Sequence, residues 1–166
     1  MNPSPTNHPR LLIEEWLPAP ALGVECMRER GCASALAPTT YLHVWWARRP
    51  LVVSRAAVLA SLLPADFDRA CFERLLGFGI PGSELVRIRA RMDTGVRVKG
   101  GFGGGRAFSN VLDKEDLRDA HAAVCALWGN TVTVIDPMAG GGSIPLEAAR
   151  LGLHVLANEL NPVACS

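Results

Sequence analysis

The sequence is poor in lysine and tyrosine and has no long apolar run. Lys99 and Lys114 are the only lysines among its 17 basic residues, and there is one tyrosine. Arginine suits planar, bidentate contacts with phosphates and base edges, although a GC-rich genome would supply the same bias. The net charge of +1 gives no global field that would draw the chain onto nucleic acid. No stretch reaches the roughly 18 apolar residues of a membrane span.

Targeting and metal signals are also absent. The first ten residues lack the basic start and apolar core of a secretory signal. The five cysteines are scattered, with no CxxC pair and no histidine at ligand spacing, which predicts reduced thiols, a cytoplasmic protein and no zinc site. At 166 residues the chain predicts one domain with a small N-terminal addition.

The pattern along the chain predicts three regions. Residues 1–10 are polar and proline-rich, which predicts a disordered lead. Residues 11–110 are expected to be mainly helical, with helices over 11–17, 21–30, 51–63 and 64–77 and a loop over 31–42. Pro50 is expected at the first helical position of the third helix. Residues 77–110 carry the weakest pattern, and the glycine-rich stretch 99–106 predicts a flexible surface loop or, as the alternative, a phosphate-binding loop.

Residues 111–166 predict the start of an α/β domain. Asp113 should cap a helix that ends at Gly129, and the β-branched residues 131–135 should form a buried strand. A glycine turn, a helix over 143–151 and a strand over 154–158 follow. This order predicts a βαβ unit with parallel strands.

The glycine turn, residues 136–143, reads Asp-Pro-Met-Ala-Gly-Gly-Gly-Ser. It lies at the carboxyl end of a strand and opens a helix, where open α/β sheets bind ligands and where a helix N-terminus attracts an anion. Pro145 stands where a dinucleotide motif needs its third glycine, and no Gly-Lys-Ser/Thr of a P-loop is present. Asp136 would repel a pyrophosphate but suits an ammonium beside a carboxylate, as in the methionyl end of S-adenosylmethionine. Glu159, after the second strand, can accept hydrogen bonds from ribose hydroxyls; the alternative is an ordinary turn and a surface acid.

These residues resemble the cofactor motif of amino-group DNA methyltransferases. That family usually reads Asp-Pro-Phe-x-Gly-x-Gly-Ser/Thr, then Glu-Ala, then Asp-x-Asn-Pro. This chain has Pro-Leu-Glu-Ala at 145–148 and Asn-Glu-Leu-Asn-Pro at 158–162, and it departs from the pattern at Met138 and Glu159. The resemblance implies an S-adenosylmethionine site formed by Asp136, Pro137, Met138, Ala139, Gly140, Gly142, Glu159 and Asn161.

The front of the chain carries a second resemblance. Residues 11–18 and 43–51, the latter His-Val-Trp-Trp-Ala-Arg-Arg-Pro-Leu, resemble the N-terminal domain of unknown function of large bacterial adenine-specific DNA methylases. The resemblance implies that this segment packs beside the cofactor. Trp45 and Trp46 are either core residues or pocket walls, Arg48 and Arg49 either begin a helix or hold DNA phosphates, and His43 is either a core residue or a catalyst.

The catalytic tetrapeptide of amino-methylating enzymes, Asp/Asn/Ser-Pro-Pro-aromatic, is missing. It would hold the target amine and stack on the flipped base, but no Pro-Pro occurs here. Two strands also fall short of a seven-stranded sheet. We therefore expect an incomplete Rossmann-like methyltransferase fold, inactive alone, that contacts DNA through the completed enzyme. It would be a fragment, a remnant that binds cofactor without catalysis, or one half of a split enzyme whose C-terminal half is encoded separately. A nucleotide-dependent enzyme of another type is disfavoured by Asp136 and Pro145.

Overall fold

The computed structural model describes residues 9–31, 45 and 48–162. The predictions for residues 1–8 and for nearly all of the 31–42 loop lie outside that part of the chain. Within it the protein is mixed α/β, with seven α-helices, a short 3₁₀ helix and a two-stranded parallel sheet. The elements are α1 (Leu12–Glu15), α2 (Ala19–Arg30), α3 (Leu51–Ala60), α4 (Arg69–Leu75), α5 (Gly82–Asp93), the 3₁₀ helix (Ala107–Ser109), α6 (Lys114–Trp128), β1 (Thr133–Asp136), α7 (Ser143–Arg150) and β2 (His154–Ala157).

Helix α3 lies at the centre of the packing. Eight of its ten residues are buried, as its apolar sequence predicts. Pro50 precedes the helix instead of starting it, and Pro50 provides no side-chain cap. Both carboxylate oxygens of Glu29 on α2 accept a hydrogen bond from the Leu51 N–H, at 2.9 and 3.1 Å. Burial raises the pKa of Glu29 above its usual value.

Several predicted helices are shorter than expected. The helix predicted over 51–63 ends at Ala60, and beyond it the Leu62 N–H donates to the carbonyl of Leu59, three residues earlier, at 3.0 Å. The helix predicted over 64–77 covers only Arg69–Leu75. It begins there because the Asp68 carboxylate accepts hydrogen bonds from the N–H groups of the first turn.

Helix α5 was not predicted from the sequence. It begins at Gly82, where a Cβ would lie 3.0 Å from the Cβ of Ala21, so the glycine allows α5 to start against the start of α2. Leu85 and Ile88 are buried at helical spacing, but arginines at every second position from 87 to 91 interrupt a clear amphipathic pattern. Residues 77–110, whose sequence pattern is the weakest, thus contain one helix of 12 residues.

The predicted parallel βαβ unit is confirmed, but the prediction of a buried strand over 131–135 is wrong, since the strand covers Thr133–Asp136 and only Asp136 in it is buried. Strands β1 and β2 pair in parallel through α7, with Val134 opposite Val155 and Ile135 opposite Leu156. The two valines pack against the core on the α7 side, whereas Ile135 and Leu156 are 67% and 61% exposed. The sheet thus has one covered and one open apolar face. None of the described helices is long and apolar enough to cross a bilayer.

Candidate functional site

The turn between β1 and α7 depends on glycine. Gly140 and Gly142 have φ values of 52° and 71°, in the left-handed region that other residues seldom adopt. The Gly142 N–H donates to the Ala139 carbonyl at 2.9 Å, and α7 begins at Ser143. The predicted position of the turn, between a strand end and a helix start, is confirmed. The first N–H groups of α7 therefore face the same edge of the sheet as the strand ends.

Asp136 is the last residue of β1 and only 9% exposed. Its Oδ1 accepts a hydrogen bond from the Met138 N–H at 3.1 Å, while its main-chain carbonyl accepts one from the Asn158 N–H at 2.8 Å. The carboxylate is thus fixed at the base of the turn. Pro137 and Met138 above it are exposed, Met138 by 79%.

Glu159 joins the end of β2 to the glycine turn. Its carboxylate accepts hydrogen bonds from the N–H groups of Gly140 at 2.7 Å, Leu160 at 2.8 Å and Asn161 at 3.0 Å. These N–H groups, that of Asn161 first, lower the pKa of Glu159. An ionised carboxylate therefore lies between the two strand ends at neutral pH, and Asn161 is held beside it.

The segment around Trp45 packs directly on the turn. A Cβ at Gly140 would lie 3.0 Å from the Trp45 Nε1, and a Cβ at Gly141 would lie 3.1 Å from the Arg48 Cγ. Arg48 donates from Nε to the Trp45 carbonyl at 3.1 Å. Sequence segments nearly a hundred residues apart therefore form one wall around the glycines.

The two arginines of that segment differ in environment. Arg48 is half-buried against the turn, whereas the Arg49 side chain is exposed. The Arg49 main-chain carbonyl accepts a hydrogen bond from the buried Ser143 hydroxyl at 2.9 Å, which ties the segment to the first residue of α7. Trp46 and His43 lie outside the described residues.

The site combines the partial positive charge of a helix N-terminus with two carboxylates. The N-terminus of α7 carries partial positive charge and favours an anion. Asp136 and Glu159, on the two neighbouring strand ends, favour a cation and hydrogen-bond donors. An amino acid group presents both charges on one carbon and therefore suits this pairing better than a polyphosphate does.

Sequence reasoning missed the ion pair that holds α7 in place. Arg55 on α3 and Glu147 on α7 are both fully buried, and their Nε and Oε2 atoms are 2.5 Å apart. Burial lowers the pKa of Arg55, and the hydrogen bond to Glu147 opposes that effect. A charged residue in the middle of an apolar helix is the signal that a buried partner exists, but it does not say where that partner lies in the sequence.

Comparison with known proteins gives two matches. The family described as "Protein of unknown function (DUF1156)" matches residues 16–74, which is less than half of the chain. A curated relative, "tRNA (guanine(37)-N(1))-methyltransferase" of Cryptococcus neoformans var. neoformans serotype D, is 38% identical over 55 residues, or 33% of this chain. The chain spans 10% of that relative's length. No solved structure matches significantly. The comparisons suggest a link to methyltransferases.

Proposed function

We propose that this chain is the S-adenosylmethionine-binding part of an amino-group, adenine-specific DNA methyltransferase. The observation that carries the proposal is the arrangement of Asp136, the glycine turn and Glu159 at one edge of the parallel strands, with Trp45 packed on the glycines. The partial match to a methyltransferase is in keeping with it.

Each part of the proposed ligand has a partner of suitable chemistry. The methionyl ammonium would lie near Asp136, and the carboxylate near the N–H groups that open α7. Glu159 would accept hydrogen bonds from the ribose hydroxyls, and in doing so would exchange part of its contact with the Gly140 N–H. Trp45 would form one side of the pocket, and the exposed Met138 the other.

The chain's own residues bind and orient the donor in this proposal but do not transfer the methyl group. The Pro-Pro-aromatic tetrapeptide that would hold the target base does not occur in the sequence. We expect no methyl transfer to DNA by this chain alone, and DNA contact through Arg48 and Arg49 in the completed enzyme.

The open face of the sheet favours one half of a split methyltransferase as the second candidate. Ile135 and Leu156 lie side by side on that face and are mostly exposed. Exposed apolar surface at a sheet is a common mark of an interaction site. A separately encoded C-terminal half that supplies further strands and a helix layer would cover both residues. A non-catalytic remnant would bind the donor but gain no activity with any such half.

Calorimetric titration with S-adenosylmethionine tests the proposal. Asp136→Ala removes a charge-assisted hydrogen bond to the ammonium, worth roughly 1.5–3 kcal/mol, and should weaken binding about ten- to a hundred-fold. Asp119→Ala, at an exposed aspartate on α6, is the matched control and should bind as the parent does. Equal affinity of the parent and the Asp136 variant would remove the physical basis of the proposal.

A further inference from the structure

The basic residues of this chain are concentrated in one segment. Residues 87–106 hold six of the 17 basic residues and one of the 16 acidic residues, although the whole chain has a net charge of +1. The acidic residue, Asp93, is paired with Arg89, with 2.7 Å between their nitrogen and oxygen atoms. Arg87 is paired with Glu84, just outside the segment, so four of the six basic residues have no acidic partner in the described part of the chain.

The fold brings this segment to the end of another arginine-bearing helix. Helices α2 and α5 start side by side, since Gly82 packs on Ala21, and both approach one groove towards their ends. The groove has a volume of about 390 Å³ and is lined by Met27, Arg28, Gly31, Arg89, Gly104, Gly105 and Arg106. The carboxyl-terminal ends of both helices and the glycine-rich loop thus meet at one place.

Two of these arginines hold the glycine-rich loop. Arg28 donates to the carbonyls of Gly104 and Gly105 at 3.1 and 3.2 Å, and its guanidinium lies 4.6 Å from the centre of the Phe102 ring. Arg106 donates in turn to the Arg28 carbonyl at 3.0 Å. The loop predicted over 99–106 has no helix or strand, but these contacts fasten it to α2.

A second set of basic residues is exposed on or next to the elements that line the groove, although none of them lines it. Within the described part of the chain, the side chains of Arg30, Arg91, Arg97 and Lys99 make no hydrogen bond or ion pair. Arg30 and Arg91 are in the last turns of α2 and α5, where a cation also favours the helix dipole. Arg97 and Lys99 follow the end of α5, so the helix dipole does not account for them.

The loop beside these residues presents bare backbone. Gly100, Gly101 and Gly104 have positive φ values, and a Cβ at any of them would meet nothing within 4 Å. A surface without side chains, framed by guanidinium groups, lets a sugar-phosphate backbone approach closely. Two kinds of anionic partner could meet this surface. A folded anionic protein presents carboxylates at irregular positions, whereas duplex DNA presents phosphates in a regular row, which suits bare backbone bordered by basic side chains.

We propose that the surface formed by the groove between the ends of α2 and α5, the glycine-rich loop and these four exposed cations binds the phosphate backbone of duplex DNA. This inference rests on the proposed function for its choice of partner, and it adds a DNA contact to the one proposed for Arg48 and Arg49. Arg28 and Arg106 are positioning residues there, because they hold the loop. Arg30, Arg91, Arg97 and Lys99 make the phosphate contacts.

The test compares two triple variants of the full chain. Arg30→Gln, Arg91→Gln and Lys99→Gln together remove one exposed cation from each of the three segments at the groove. Arg10→Gln, Arg69→Gln and Arg118→Gln together remove the same charge from exposed positions elsewhere. Binding of a short fluorescein-labelled DNA duplex is measured by anisotropy between about 50 and 200 mM salt. Thermal unfolding of each variant confirms that it folds.

The groove variant should bind DNA at least about ten-fold more weakly at low salt than the parent. The slope of log affinity against log salt should fall by about 2 to 3, one per lost phosphate contact. The control variant should keep most of the parental slope. Equal losses in the two variants, no DNA binding by the parent, or preference of the parent for single-stranded RNA would each overturn the inference.

Titration of the same samples with S-adenosylmethionine separates this inference from the proposed function. The groove variant should bind the methyl donor as the parent does, because none of its substituted residues is among the nearest neighbours of Gly140 and Gly141. If the parent binds DNA through the groove but does not bind the donor, the proposed function fails and the DNA surface stands. If the groove variant loses donor binding as well, the two sites are not separate and the inference fails.

Discussion

Loss of the Glu147 carboxylate should destabilise the whole chain. Glu147→Leu leaves the Arg55 guanidinium fully buried without its counter-ion, because Oε2 of Glu147 lies 2.5 Å from Arg55 Nε. It also removes one of the two acceptors of Arg150, which donates to Glu147 Oε1 and to the Phe108 carbonyl, both at 2.9 Å. Breaking a buried ion pair on one side costs about 3–5 kcal/mol. That is a large share of the roughly 5–15 kcal/mol by which a typical domain is stable.

Removal of both charges should cost less than removal of one. In Arg55→Leu combined with Glu147→Leu no buried charge remains, and replacement of a buried pair by apolar residues is often close to neutral. Some cost persists, because Arg55 Nη1 donates to the Leu76 carbonyl at 3.1 Å and that acceptor loses its donor. We expect the double variant to be more stable than either single variant.

Urea unfolding followed by circular dichroism measures these differences. With a slope of about 2 kcal/mol per M, Glu147→Leu should lower the unfolding midpoint by about 1.5–2.5 M. Glu15→Leu is the exposed control: its pair with Arg10 has side chains 40% and 76% exposed, and its loss should cost no more than about 1 kcal/mol. A loss of stability below about 1 kcal/mol for Glu147→Leu would refute the reasoning. A double variant that is no more stable than either single variant would also refute it.

Two further predictions concern the turn and the acid stability. Gly140→Ala should lower the thermal unfolding temperature more than Gly129→Ala does. Both glycines have a positive φ, but only at Gly140 would the new Cβ press on the Trp45 indole. Equal decreases in unfolding temperature would contradict this packing. The Arg74 guanidinium, 2.7 Å from Asp116, holds the pKa of that carboxyl below its usual value. Its contribution to stability is present above the ordinary carboxyl pKa of about 4 and is lost as pH falls through the lower folded value. In Asp116→Asn, the free energy of unfolding should therefore fall less steeply as the pH is lowered below about 4. An unchanged dependence on pH would show that the Arg74–Asp116 pair does not cause it.

The features that the sequence predicts well are those set by neighbouring residues. Asp113 caps α6 as expected, with its carboxylate accepting from the Glu115 and Asp116 N–H groups. The order of β1, the glycine turn, α7 and β2 follows from β-branched residues, glycines and helical spacing that lie close together in the chain. The position of Asp136 at the strand end follows from the same local pattern.

The features that the sequence predicts poorly depend on distant partners. The start of α5 at Gly82 relies on contact with Ala21, and its alternating arginines do not show a clear apolar face. The partner of Arg55 lies 92 residues away, and no local pattern points to Glu147. The contact of Trp45 with the glycine turn joins segments far apart in the sequence, so periodicity does not predict it, and both interpretations of Trp45, as a core residue or a pocket wall, remain predictions.

Glu159 shows a role that residue type alone does not reveal. Its position after β2 predicts a ribose acceptor, and this remains a prediction. The structure adds that the same carboxylate accepts a hydrogen bond from the Gly140 N–H, which a strand pattern does not indicate because the bond spans 19 residues. Glu159→Gln should thus affect the turn as well as any ligand.

The central claim, that the turn after β1 binds S-adenosylmethionine, is tested most directly by the backbone amide signals of the ¹⁵N-labelled chain. Glycine amides resonate in a separate region of the spectrum, and the chain has two glycine-rich segments that serve as each other's control. On titration with S-adenosylmethionine, we predict that the signals of Gly140 and Gly142 and of the Trp45 indole N–H shift in proportion to occupancy, while those of Gly103 and Gly104 stay in place. Shifts confined to Gly103 and Gly104, or no shifts at a saturating donor concentration, would contradict the claim.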